Sequence, residues 1–240
     1  MLMAAGATAE KAVERDSEAV LACSAIIRGL EPADRASLIR RFSYDRYASG
    51  QCIYHEGQRD RLLYVVIDGK VKIGWRCADF PEKLLGVLGP SEIFGAESVF
   101  DSGPRTGSAT ALTPVLVAVI DRDALHACID DSPHITEQLM RLLARNLRRA
   151  EDLITDLNFT DVPGRIAKQL LHLAQRFGTR HDRQLRVDHG LTQAEIAQLV
   201  GASRESVNKA LSEFVNRGWI TVYGKSLVIH QAELLAHRAR

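Results

Sequence analysis

Between residues 203 and 209 the chain reads Ser-Arg-Glu-Ser-Val-Asn-Lys, which places Arg204, Glu205, Asn208 and Lys209 within six residues. On a helix turning about 100° per residue, these four fall at about 0°, 100°, 40° and 140°. Val207, Ala210, Leu211 and Phe214 fall between about 240° and 340° on the same wheel. One face is therefore an apolar anchor, and the other is all donors and acceptors gathered in the first turns. Such a face suits a polar, patterned partner. An arginine can grip guanine O6 and N7 together while a glutamate accepts from cytosine N4, so Arg204 and Glu205 have the groups to read a G·C step from both strands. The plainer alternative is a solvated face with Arg204–Asn208 and Glu205–Lys209 contacts along the helix, each worth only about 0.2–0.5 kcal/mol.

The neighbouring elements favour the first reading. Thr192 followed by Glu195 is a capping-box signature, in which hydroxyl and carboxylate each satisfy the other's backbone amide. The helix it opens carries Ile196 and Leu199 and stops at Val200-Gly201, after which Ser203 caps a second helix. Two short helices so joined predict a helix-turn-helix whose second member enters a DNA major groove. Thr192, Gln193 and Ser203, at the helix starts, join Arg204, Glu205, Asn208 and Lys209 as candidate DNA contacts. The stretch 219–230, WITVYGKSLVIH, predicts a strand–turn–strand wing whose Lys225 reaches a phosphate.

Charge is distributed accordingly. From Val162 onward there are 12 Lys/Arg against 6 Asp/Glu, and before it 19 against 24, so a chain of net charge +1 divides into a +6 part and a −5 part. A basic module on an acidic carrier fits a polyanion partner. The hinge between them is FTDVPGR, where Asp161 can cap a new helix and Pro163 sits harmlessly in its first turn. Ile166, Leu170, Leu173 and Phe177 then form the apolar stripe of that helix, and TRHDRQLRVDHG predicts a turn or short hairpin.

Upstream, from Pro133 to Phe159, no Gly or Pro intervenes after the first position. Apolar residues recur at Ile135, Leu139, Leu142, Leu143, Leu147, Ala150, Ile154 and Leu157. A helix of roughly 39 Å results, and a stripe of three- and four-residue steps on that length suits packing against a second copy. From Phe42 to Ile120 short apolar runs alternate with glycines, predicting an antiparallel barrel or jelly roll. Within it, RLLYVVIDGKVKIGW reads as two strands joined by a tight Asp68-Gly69 hairpin turn. A metal-dependent enzyme on such a barrel needs several inward histidines, and only His55 lies there. Neither a G-x-S-x-G nucleophile motif nor a phosphate-cradling glycine loop is visible. The four cysteines, Cys23, Cys52, Cys77 and Cys128, lie far apart with no C-x-x-C, which argues against a metal centre and for a reducing, cytoplasmic setting. The longest apolar run, Val115–Ile120, is far short of a membrane span.

Three stretches together resemble the Crp/Fnr family, in its cyclic-AMP receptor branch and actinobacterial form. They are GPSEIFGAESVFDSGPRTGSATA, FTDVPGRIAKQLLHLAQRFGT and LTQAEIAQLVGASRESVNKAL. The resemblance covers nearly the whole chain. It implies an α+β architecture: a flexible tail over 1–20, a cyclic-nucleotide-binding-like jelly roll with flanking helices over 21–132, a dimerisation helix over 133–160 and a winged helix-turn-helix over 161–240. It implies a homodimeric, non-enzymatic transcription regulator that reads a TGTGA-like inverted repeat in double-stranded DNA through Arg204, Glu205 and Lys209, with RNA polymerase as a partner.

The implied ligand is cyclic AMP, and here the chain departs from the family. Arg105 and Thr106 keep the pair that holds the cyclic phosphate, a charge-assisted hydrogen bond plus a hydroxyl donor. The expected Gly-Glu-Leu, whose glutamate meets the ribose, reads Gly95-Ala96-Glu97. Where the dimer helix offers Thr then Ser or Asn to the adenine, this chain has Ala150 and Glu151. Three readings stay open. Glu97 reaches the ribose after a local shift and cyclic AMP binds weakly; another anionic ligand is held mainly by Arg105; or the pocket is vestigial, with Glu97 paired to Arg105 and DNA binding independent of ligand. A fourth, from a different class, is a protein-interaction module that binds no DNA.

Overall fold

Alternation along β3 (Leu62–Asp68) and β8 (Val115–Asp121) builds the first half of the molecule. Leu63, Val65 and Ile67 with Leu116, Ala118 and Ile120 point to one core, while Tyr64 and Val66 with Val115, Val117 and Val119 point to another. Because successive strand side chains face opposite ways, one apolar run feeds both cores. The remaining strands are β1 (Ser43–Tyr47), β2 (Cys52–Tyr54), β4 (Val71–Cys77), β5 (Phe80–Leu88), β6 (Ile93–Phe94) and β7 (Ser108–Ala111). They form two four-stranded sheets, ordered β1-β8-β3-β6 and β2-β7-β4-β5. This computed structural model describes residues 16–77, 80–101, 103–181 and 184–239. Residues 1–15 of the expected tail lie outside that set, and the part of it that is described, from Asp16, is already helical.

The expected Asp68-Gly69 hairpin is corrected by this topology. β3 pairs with β8 and β6, whereas β4 pairs with β7, so the turn carries the chain from one sheet to the other. Gly69 is needed there (φ 85°), because a Cβ would lie 2.2 Å from the carbonyl oxygen of Pro114. The dipeptide signals a tight turn but cannot say which strands it joins.

Helices α1 (Pro32–Ile39), α2 (Glu97–Phe100) and α3 (Arg122–Asp131) complete the first unit, and α4 (Pro133–Phe159) begins in it. Ile135 and Leu139 on α4 are buried in the same core as Leu63 and Leu125. Each such side chain removed from water contributes about 1.5–3 kcal/mol. The two compact units are Met1–Arg76 with Val87–Asn146, and Cys77–Gly86 with Leu147–Arg240, so the division falls inside α4.

In the second unit, α5 (Val162–Phe177) is followed by the hairpin β9 (Gly178–His181) and β10 (Gln184–Val187). Then come α6 (Gln193–Leu199), α7 (Arg204–Asn216), the hairpin β11 (Ile220–Tyr223) and β12 (Ser226–Ile229), and α8 (Ala232–Arg238). The four strands form one sheet, ordered β11-β12-β10-β9. Ile166, Leu170 and Leu173 of α5 are buried, as the stripe predicts, with Val207, Leu211 and Phe214 of α7. Each unit holds one of the two tryptophans: Trp75 is exposed on β4, and Trp219 stacks on Phe214 at 5.5 Å between centroids.

Candidate nucleic-acid interface and ligand pocket

Caps fix the two helices that carry the polar face. Thr192 Oγ1 accepts from the Glu195 amide at 3.2 Å and Glu195 Oε2 accepts from the Thr192 amide at 2.8 Å, closing the expected capping box. Ser203 Oγ accepts from the Ser206 amide at 3.1 Å at the start of α7. Between them Gly201 takes φ 61°, a conformation that suits glycine, and a Cβ there would meet Leu157 Cδ2 at 2.7 Å.

Arg165 holds the same turn from below. Its Nε and Nη2 donate to the carbonyls of Val200 and Gly201 at 2.8 and 3.3 Å, and its Nη1 donates to Thr160 O at 2.7 Å. One guanidinium thus ties the hinge to the helix-turn-helix. The carbonyls of Val200 and Gly201 come from 35 and 36 positions away and leave no sequence signal beyond the presence of an arginine. Asp161 caps α5 as expected, its Oδ1 accepting from Gly164 N at 2.9 Å. Its other oxygen accepts from Arg238 at 2.5 Å, and this hydrogen bond, the largest influence, holds the exposed carboxyl below the usual aspartate range.

On this scaffold the polar side of α7 faces solvent. Arg204, Glu205 and Lys209 are exposed, opposite buried Val207, Ala210 and Leu211. Among the described residues, their side chains make none of the along-helix pairs that a merely solvated face would use; Glu213, near the end of α7, pairs instead with Arg217 just beyond it at 2.6 Å. Asn208 is half-buried, and its Oδ1 is buried without a protein partner. Thr192 and Ser203 are exposed at the helix starts, with Gln193 half-buried beside Thr192. Lys225 stands exposed in the β11–β12 turn, where Gly224 takes φ 60°.

The other cluster lies in the first unit, around Arg105. This side chain is buried, at 1% exposure, with Nη1 donating to Gly95 O at 2.9 Å and Nη2 to Leu62 O at 2.7 Å. Nη2 also forms an ion pair with Asp60. Tyr54 covers the guanidinium, its ring centroid 4.2 Å from Cζ, and Tyr64 lies at 5.7 Å. Burial pushes both phenols upward in pKa. Gly95, at φ 74°, leaves the room this arginine occupies, since a Cβ would lie 2.4 Å from Nη1.

The Glu97–Arg105 pair that the vestigial-pocket reading invokes is not formed: Asp60 is the carboxylate on the guanidinium, while Glu97 is exposed at the first position of α2. Ala96 is buried as the residue before that helix, and Thr106 is exposed beside the buried arginine. Ala150 and Glu151 are exposed on α4, in the second unit. Sequence reasoning missed Asp60, Tyr54 and Tyr64 because they reach Arg105 from far along the chain, Asp60 from 45 positions away. Among the described residues, no cluster of His, Cys, Asp or Glu could hold a metal ion, and no helix is long and apolar enough to cross a membrane.

Two regions match known domain families. Residues 44–132 match the cyclic nucleotide-binding domain and residues 164–238 the Crp-like helix-turn-helix domain. The chain is 54% identical over 221 residues to the CRP-like cAMP-activated global transcriptional regulator of Mycobacterium tuberculosis, covering 92% of this chain and 99% of that protein. The chain belongs to the Crp/Fnr family of transcription regulators. It is also 30% identical to the cyclic AMP receptor protein of Thermus thermophilus, over 88% of this chain and 95% of that one. The structure of FixK2 from Bradyrhizobium japonicum shares the fold, with a TM-score of 0.73 at 22% identity over 83% of this chain and 98% of that one. Its family membership makes the chain a transcription regulator with a DNA-binding domain rather than an enzyme. In this Crp/Fnr chain Glu97 follows Gly95-Ala96, and Arg105 already holds the carboxylate of Asp60.

Proposed function

We propose that the chain acts as a homodimer in the cytoplasm, reading a TGTGA-like inverted repeat with Arg204, Glu205 and Lys209 and communicating with RNA polymerase. The observation that carries this reading is the exposed polar face of α7, whose three charged groups make no pairing with one another while caps at Thr192 and Ser203 hold its backbone. Thr192, Gln193, Ser203 and Lys225 serve the phosphate backbone, and Asn208 supports the face from its half-buried position. The two copies of α7 enter successive major grooves about 34 Å apart. Dimerisation is supported by α4, where Met140, Leu143, Leu147, Ile154 and Leu157 remain exposed on a single chain.

The jelly-roll pocket is where cyclic AMP or a related anion acts, with Arg105 and Thr106 toward the phosphate and Gly95, Ala96 and Glu97 forming the turn beside it. Ala150 and Glu151 match in sequence the positions from which the family contacts the base. A ligand acts by binding the DNA-ready arrangement more tightly than the resting one. A second reading, DNA binding independent of ligand, is favoured by one observation: Arg105 is already engaged by Asp60, Gly95 and Leu62.

Gel shifts with a TGTGA palindrome and a scrambled duplex, each with and without cyclic AMP, test both. Retardation of the palindrome alone supports the DNA reading, and its dependence on cyclic AMP chooses between the two accounts of the pocket. Equal retardation of both duplexes, or none in dilute salt, would overturn the sequence-specific reading.

A further inference from the structure

We propose that Asp60 is a specificity-determining residue, an internal competitor that an anionic ligand must displace from Arg105 before its phosphate can bind. This rests on the reading of Arg105 as the phosphate holder of the pocket. The edge of a guanidinium is its hydrogen-bonding surface, because its faces have no donors. Here the face is covered by Tyr54, and the edge is spent on Asp60, Leu62 O and Gly95 O. A phosphate drawn to the same edge meets a carboxylate already there, and like charges at that range repel.

Which partner yields is decided by burial. The Arg105 side chain is fully enclosed, and Gly95 crowds it so closely that even a methyl group would clash. Asp60 reaches in from the connection before β3, and its side chain retains 15% exposure. Asp60 is therefore the member that can leave. The pair is also incompletely satisfied. Arg105 Nε and Asp60 Oδ2 are both buried without a hydrogen-bond partner, a condition that native interiors rarely tolerate. A tetrahedral anion on Arg105 satisfies Nε, and release of Asp60 returns Oδ2 to water. Closure by Asp60 is thus strong enough to turn away a weak anion, yet leaves the arginine something to gain from a better one.

Removing the competitor leaves a buried cation that needs a counterion. The Asp60→Ala variant is therefore expected to lose stability and to recover it from added anion, since a ligand that binds only the folded state stabilises it. Asp60→Asn preserves the side-chain shape and one acceptor without the charge, and provides a folded comparison should the alanine variant unfold.

The test uses the full chain. Calorimetry with cyclic AMP and thermal unfolding with inorganic phosphate are compared for wild type, Asp60→Ala, Asp60→Asn and Asp60→Asn with Arg105→Ala. The Asp60 variants are expected to bind cyclic AMP about ten- to a hundredfold tighter than wild type, the range of one charge-assisted hydrogen bond, and to lose that gain with Arg105. Phosphate should raise their melting temperature more than that of wild type. If phosphate protects the variants selectively but cyclic AMP does not bind them better, the competitor role stands and the cyclic-nucleotide reading of the pocket falls. If a folded variant gains neither response, or keeps the gain without Arg105, the role of Asp60 is overturned.

Discussion

Two arginines show how much a single side chain's surroundings decide. Arg204 stands exposed to solvent, whereas Arg105 is enclosed at 1% exposure with Nη1 and Nη2 engaged by the protein and Nε left without a partner. Replacing Arg204 by alanine is expected to cost about 1–3 kcal/mol of DNA affinity and to relax discrimination at one base pair per half-site. Binding-site selection with the variant checks this, and an unchanged base preference would remove Arg204 from the reading role. The polar and apolar sides of α7 were legible in sequence because helical spacing alone sorts the residues between Arg204 and Phe214 into two faces. The occupied state of Arg105 was not, because its carboxylate comes from another strand connection and no local pattern distinguishes Asp60 from its charged neighbours Arg59 and Arg61.

The elements tell the same story at greater length. Thr192, Glu195 and Ser203 predicted both helices of the helix-turn-helix from capping chemistry, which is local and so visible in sequence. Asp68-Gly69 predicted a turn correctly and a hairpin wrongly, because pairing partners are set by the far strands β7 and β8. The turn between α6 and α7 combines both kinds of information: Gly201 has a local φ requirement, whereas its contact with Leu157 and the Arg165 bonds to Val200 and Gly201 are tertiary. Gly201→Ala is therefore expected to destabilise by at least about 1–2 kcal/mol, the cost of a left-handed residue with a Cβ, with more added by the crowding at Leu157. Urea unfolding measures it. A variant as stable as wild type would show that the turn relaxes into another conformation.

For the whole molecule, the uncovered apolar length of α4 is the feature that a single chain does not explain. Ile135, Leu139 and Leu142 are buried within the chain, but Leu147 and Ile154 are about 60% exposed. Ile154→Asp is expected to convert a dimer to monomers in sedimentation equilibrium and to abolish preference for an inverted repeat over a single half-site. A variant that remains dimeric would move the interface elsewhere. The tryptophan placement has a practical outcome as well. With Trp75 in one unit and Trp219 stacked on Phe214 in the other, replacing either by phenylalanine leaves fluorescence from a single half. The two emission records, followed through denaturant, would show directly whether the halves melt together or in succession.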